Sequence, residues 1–144
     1  MFHRLFEYHR TINARLLYEL DSHGHVLPER SYPLFCHVLN AHQIWNARIL
    51  DRAPFGVYDI HDYEDCRDIN RDNYRDTLTI LGGYALEAEV TYYNTRGDRY
   101  TNTVEDILLH VANHTTHHRG QIIADFRGAG LEPPKTDYIF YRRE

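Results

Sequence analysis

Cysteine is scarce in this sequence: Cys36 and Cys66 are the only two, and no Cys-x-x-Cys occurs. So few thiols argue against a disulfide framework and suit a reducing cytoplasm. Long apolar runs are missing too, none approaching the roughly 18 residues of a membrane span. The N-terminal residues from Met1 to Glu7 alternate polar and apolar types, unlike a signal peptide. There is no basic excess either. The net charge of −5 argues against a general nucleic-acid binder, because phosphate contacts need surplus Lys and Arg. The one short basic cluster, Arg142-Arg143, reads as a solvated tail. Repeats and low-complexity tracts are absent. What remains is a chain of 144 residues, 42% apolar, which suits one domain over 1–144 with one core. Histidine is plentiful: there are 11, four of them between positions 110 and 118.

The apolar spacing predicts four helices. Phe2, Leu5, Phe6, His9, Ile12, Leu16 and Leu20 recur at steps of three and four, one face of an amphipathic helix. A second helix is expected from a Ser31 cap, with Pro33 in its first turn, to about Leu50. Residues 57–68 read as a loop. A third helix is expected from Ile69 or Asp72 to Leu81, closed by Gly82-Gly83. Residues 87–94 and 99–103 are rich in β-branched and aromatic types and read as two short strands around a turn. The fourth helix opens at Thr103, with Asp106 three residues on as a capping-box partner, and ends near Gly128. Tyr138, Ile139, Phe140 and Tyr141 should pack back on the bundle. The fold class is therefore all-α, a four-helix bundle with a short β-hairpin-like insert before the last long helix.

A helix turns about 100° per residue, so 107, 111, 114, 118 and 122 form one stripe. His114 and His118 thus lie one turn apart on an apolar face. Burying two adjacent imidazoles is costly unless something accepts their lone pairs, and a divalent metal does so. His117 is turned away to an edge, and His110 is a supporting or core residue. No Glu follows His114 in the zinc-protease pattern, and no Glu has His three residues later as in di-iron bundles. The nitrogen-rich donor set suits zinc or nickel, with iron or manganese as alternatives. On the second helix the inward stripe runs through Leu34, Val38, Ala41, Trp45 and Arg48; His37 falls about 60° from its centre and His42 about 80°. His37 therefore points inward and His42 lies at the boundary. His3, His9, His23, His25 and His61 have no partner at metal spacing and are expected at the surface or in loops. Cys36 and Trp45 are read as packing. Arg48 and Arg119 are read as helix-edge salt-bridge partners or as clamps for a carboxylate. Gly120 is read as a site of close approach by a helix or ligand.

The segment His37-Val-Leu-Asn-Ala-His42-Gln-Ile-Trp45-Asn-Ala-Arg48, the segment Asn113-His114-Thr-Thr-His117-His118-Arg119-Gly120-Gln121-Ile122 and the ending Thr136–Tyr141 together resemble the DinB/YfiT-like family. That resemblance implies a four-helix bundle, often a homodimer, with a metal held by three histidines. Transferred to this sequence they are His37, His114 and His118. It also implies metal-dependent chemistry on a small-molecule substrate. Relatives of this type include bacillithiol and mycothiol S-transferases and a thiol-dependent isomerase, acting in stress or detoxification with a low-molecular-weight thiol. A hydrolase using the same open metal position is the alternative enzyme. A non-catalytic stress-response protein, with the histidines closed by a fourth protein ligand such as His42 or His110, is the alternative outside enzymology.

Overall fold

The three-four spacing near the N-terminus forms α1 (Phe2–His23), which buries Phe2, Phe6, Ile12, Leu16, Leu17 and Leu20 on one face. A computed structural model describes all residues from 1 to 144. A single 3₁₀ turn at Gly24–Val26 leads to α2 (Ser31–Leu50). Ser31 is not the cap. Arg30 takes that position without a side-chain cap bond, and the Ser31 hydroxyl donates instead to Asp125 at 2.8 Å.

The third helix, α3 (Tyr63–Gly83), begins six residues before Ile69. Asp62 is its N-cap and accepts from the Asp65 amide, with Glu64 and Asp65 favourable at the positive helix start. Its buried positions are Cys66, Asn70, Asn73, Thr77 and Ile80. The helical period is there, but it is carried mostly by polar residues, so an apolar template misses the first two turns. Gly82 and Gly83 complete the last turn rather than follow it, and extended Tyr84 ends the helix.

The predicted strands form as β1 (Glu89–Tyr93) and β2 (Arg99–Thr103), antiparallel, with Thr91 opposite Thr101. Gly97 takes a φ of 84° in the turn, and the Asn94 side chain accepts from the Arg96 and Asp98 amides. α4 (Val104–Gly128) starts with the Thr103/Asp106 capping box that the sequence predicts. The tail closes with one short turn, α5 (Tyr138–Tyr141). Tyr138 and Tyr141 rest on the Tyr8 ring, while Ile139 and Phe140 stay exposed.

α1 packs on α3, α2 on both α3 and α4, and the hairpin leans on α2 and α4. Two apolar clusters result. One gathers Leu16, Leu20, Phe35, Leu39, Ile122 and Phe126; the other gathers Phe6, Ile49, Ile80, Ile107, Leu108 and Val111 at the opposite end. Between them runs a buried polar belt of His9, Asn13, His42, Asn46, Asn73, Thr77 and Arg119. No helix is long and apolar enough to cross a membrane.

Candidate metal centre

α2 and α4 lie side by side and bring three histidines together. His37 comes from α2; His114 and His118 come from successive turns of α4. Their ring centroids stand 4.9 Å (His37–His114), 5.0 Å (His37–His118) and 4.5 Å (His114–His118) apart. One nitrogen from each lies within 4.8 Å of the others. A salt link at the end of the helix pair holds it in place. Asp125 of α4 is buried, and it accepts from Arg30 and from Ser31 at the start of α2. The Arg30 guanidinium, then the Ser31 hydroxyl, hold the Asp125 carboxyl below its usual range against the opposing effect of burial.

Hydrogen bonds on the far side of two rings decide which way their lone pairs face. His37 Nδ1 lies 3.2 Å from the Val57 carbonyl, which can only accept. Neutral His37 therefore carries its proton on Nδ1 and a lone pair on Nε2. His118 Nδ1 lies 2.7 Å from Gln121 Oε1, so its Nε2 is likewise a lone pair. His37 Nε2 in turn faces His114 Nε2 at 3.1 Å. Tetrahedral zinc with nitrogen ligands at about 2.05 Å sets neighbouring nitrogens roughly 3.3 Å apart. The donor set, its spacing and its outer hydrogen bonds therefore fit a divalent ion. Burial, then the neighbouring His118 and His37, push the His114 pKa down to about 4, so at neutral pH it is in the neutral form a metal needs.

The cluster is half-buried and opens to solvent. A cavity of about 330 Å³ has His37, His118 and Gln121 in one wall and Arg30, Leu34 and Tyr58 in the rest. Tyr58, 81% exposed, stacks over His37 at 5.5 Å. On the other flank a pocket of about 290 Å³ is lined by Trp45, Tyr92, Asp106, Ile107 and His110. Trp45 is thus a pocket wall as well as a packing residue.

Several sequence expectations change here. His42 is not at a boundary. It is buried, contacts the Phe6 ring, and bonds Thr77 Oγ1 at 2.8 Å on the α3 side, away from the cluster. His9 is neither surface nor loop: it lies in the core, with Nδ1 accepting from Arg119 at 3.0 Å. Arg119 is no helix-edge residue. Only 3% exposed, it donates to the Tyr8 hydroxyl, His9 and Asn13 with no carboxylate partner. Arg48 makes no salt bridge either; its guanidinium sits over the Trp45 and Tyr92 rings at 4.3 and 4.7 Å and ties the hairpin to α2. Gly120 faces open space, where an added Cβ meets nothing within 4 Å. His117 is exposed, as expected; His110 is exposed rather than in the core, and its ring meets Trp45 edge-on. Gln121 and Tyr58 were not singled out by the sequence. The first had a signal, the three-residue step from His118 on one helix face; the second, on a loop, had none.

A model described as the DinB family matches residues 33–144. Over 39 residues the chain is 51% identical to a protein named DinB from Bacillus subtilis (strain 168). That match covers 27% of this chain and 23% of the relative. No solved structure matches.

Proposed function

The chain belongs to the DinB family, and from that premise we propose a metal-dependent enzyme of the thiol S-transferase type, with His37, His114 and His118 holding the ion. The observation that carries the reading is the open cleft beside the cluster, with His37 and His118 in its wall. A site that only staples helices would be closed by a fourth protein group. Neither candidate for that role joins the three-nitrogen group: His42 is bonded to Thr77, and His110, its ring 5.8 Å from that of His114, meets Trp45 edge-on.

A divalent ion with a position left to solvent would lower the pKa of a thiol, or of water, at neutral pH. The protein's own groups do the rest. Val57 and Gln121 hold the His37 and His118 rings in the tautomer that presents Nε2. Leu34 and Pro33 give the cleft an apolar wall suited to a small electrophile, and Tyr58 forms an exposed rim. Zinc or nickel is the proposed ion, with iron or manganese as alternatives. A homodimer acting on a small molecule with a low-molecular-weight thiol belongs to the same proposal and rests on the family likeness.

Elemental analysis of purified protein, followed by a panel of thiols with alkylating electrophiles, tests it. About one ion per chain and turnover abolished by a chelator are expected. Chelator-sensitive ester cleavage without thiol transfer would favour a hydrolase. Metal without turnover on any substrate would leave a binding protein.

A further inference from the structure

Two cysteines that look isolated in the sequence meet in the fold. Cys36 lies in the second turn of α2 and Cys66 in the first turn of α3, and their sulfurs are 3.9 Å apart. Both are free thiols and both are fully buried in the same apolar cluster. A disulfide needs about 2.05 Å between sulfurs, so the gap to close is roughly 1.9 Å, within reach of side-chain rotation and a small helix shift. Each sulfur also lies 3.9 Å from the His61 carbonyl, and the Tyr32 hydroxyl, which donates to that carbonyl at 2.6 Å, stands 3.5 Å from Cys66 Sγ.

The carbonyl against both sulfurs, that of His61, belongs to a segment outside the helices. Residues 53–62 carry no regular helix or strand. Side chains of α2 hold them down: Asn40 donates to the Val57 and Asp59 carbonyls, Gln43 to Ala53, and Tyr32 to His61. A segment held by a few side-chain bonds opens more readily than a packed helix. Its lifting admits a small oxidant to sulfurs that already touch.

We propose that Cys36 and Cys66 form a redox modification site, converted by a hydroperoxide to an intrachain disulfide between α2 and α3. One thiolate attacks the peroxide, the O–O bond breaks, and a sulfenic acid forms as the alcohol (water, for hydrogen peroxide) departs. The second sulfur attacks the sulfenic sulfur, the S–O bond breaks, and water leaves with the remaining proton. Two thiols and one hydroperoxide thus give one disulfide, one alcohol and one water, the two electrons passing from sulfur to oxygen. The ring so closed spans residues 36 to 66. It therefore encloses Val57, which orients His37, and Tyr58, which covers it.

The full chain is treated with hydrogen peroxide, alkylated to trap free thiols, and then denatured and digested. The expected result is loss of both thiols in the monomer, a mass lower by two hydrogens, and a linked peptide pair containing Cys36 and Cys66 that dithiothreitol separates. Linking should slow at least tenfold when the same treatment is done in denaturant, where the fold no longer pairs the sulfurs. The oxidised monomer should also melt at a higher temperature, because a closed loop restricts the unfolded chain. Cys36→Ser and Cys66→Ser should each form no monomeric link. The proposal is overturned by persistence of both thiols, by oxygen additions that dithiothreitol does not reverse, or by links only between chains. Equal linking rates in the native and denatured chain would overturn it as well.

Discussion

Histidines occupy two regions of this bundle, and the contrast between them separates structure from function. His9 and His42 lie in the polar belt, buried, with protein partners: Arg119 for His9 Nδ1 and Thr77 for His42. His37, His114 and His118 lie half-exposed between α2 and α4; the Nε2 atoms of His37 and His114 face each other, and a ring nitrogen of His118 completes the group. Burial lowers the pKa in both places, well below the usual range at His9 and to about 3 at His42. The same force has different uses. In the belt it keeps neutral imidazoles inside a hydrogen-bond network. In the cluster it keeps His114 unprotonated.

The strongest way to break this contrast is to remove a cluster imidazole. His114→Ala or His118→Ala should drop metal content from about one ion per chain to near none. The metal-free variant should fold within about 1 kcal/mol of metal-free parent protein. Full metal retention, by elemental analysis, would merge the two regions into one structural class.

His42→Ala should do the reverse. It deletes a buried ring and the shortest hydrogen bond of the Thr77 hydroxyl, which keeps only Asn46, so unfolding should become easier by about 2–4 kcal/mol in denaturant titration, with metal content kept. The pH dependence has a definite sign. The folded pKa of His42, about 3, is below its ordinary 6.5. The unfolded chain therefore takes up the proton first, and the stability His42 contributes is complete above 6.5 and drains away as pH falls toward 3. His42→Gln should flatten the stability curve across that window; an unchanged slope would show that the burial of His42 does not govern acid lability.

Gln121→Ala sharpens the picture at the cluster's edge. Freeing the His118 ring should weaken metal binding about 10- to 100-fold, read by competition with a chromogenic chelator, without unfolding. The smallest effect belongs to Gly120→Ala, on α4 between the two regions. With open space at its Cβ position it should stabilise by about 1 kcal/mol and leave metal affinity unchanged.

The sequence made legible whatever apolar periodicity or capping chemistry writes down. α1, α4 with its Thr103/Asp106 box, and the hairpin stand close to where the residues place them. His37 was preferred to His42 by helical angle and by the family likeness; the structure does bring His37, His114 and His118 together, but it is His42 that is buried and His37 that stays half-exposed. What stayed hidden was polar burial. The start of α3 was missed because Cys66, Asn70 and Asn73 face inward where leucines were sought. His9 and Arg119 were placed at the surface because their partners, on different helices, are 110 positions apart. No local pattern encodes such a pairing.

The polar belt also has a consequence for alignment along the bundle axis. Apolar contacts have no direction, whereas hydrogen bonds do. A slip of α4 by one turn, about 5.4 Å, would part Arg119 from Tyr8, His9 and Asn13 and, at the same stroke, Asp125 from Arg30 and Ser31. These groups act as a gauge for the height of α4. The 3.1 Å between His37 and His114 inherits its tolerance from that gauge, although none of the gauging residues touches either ring.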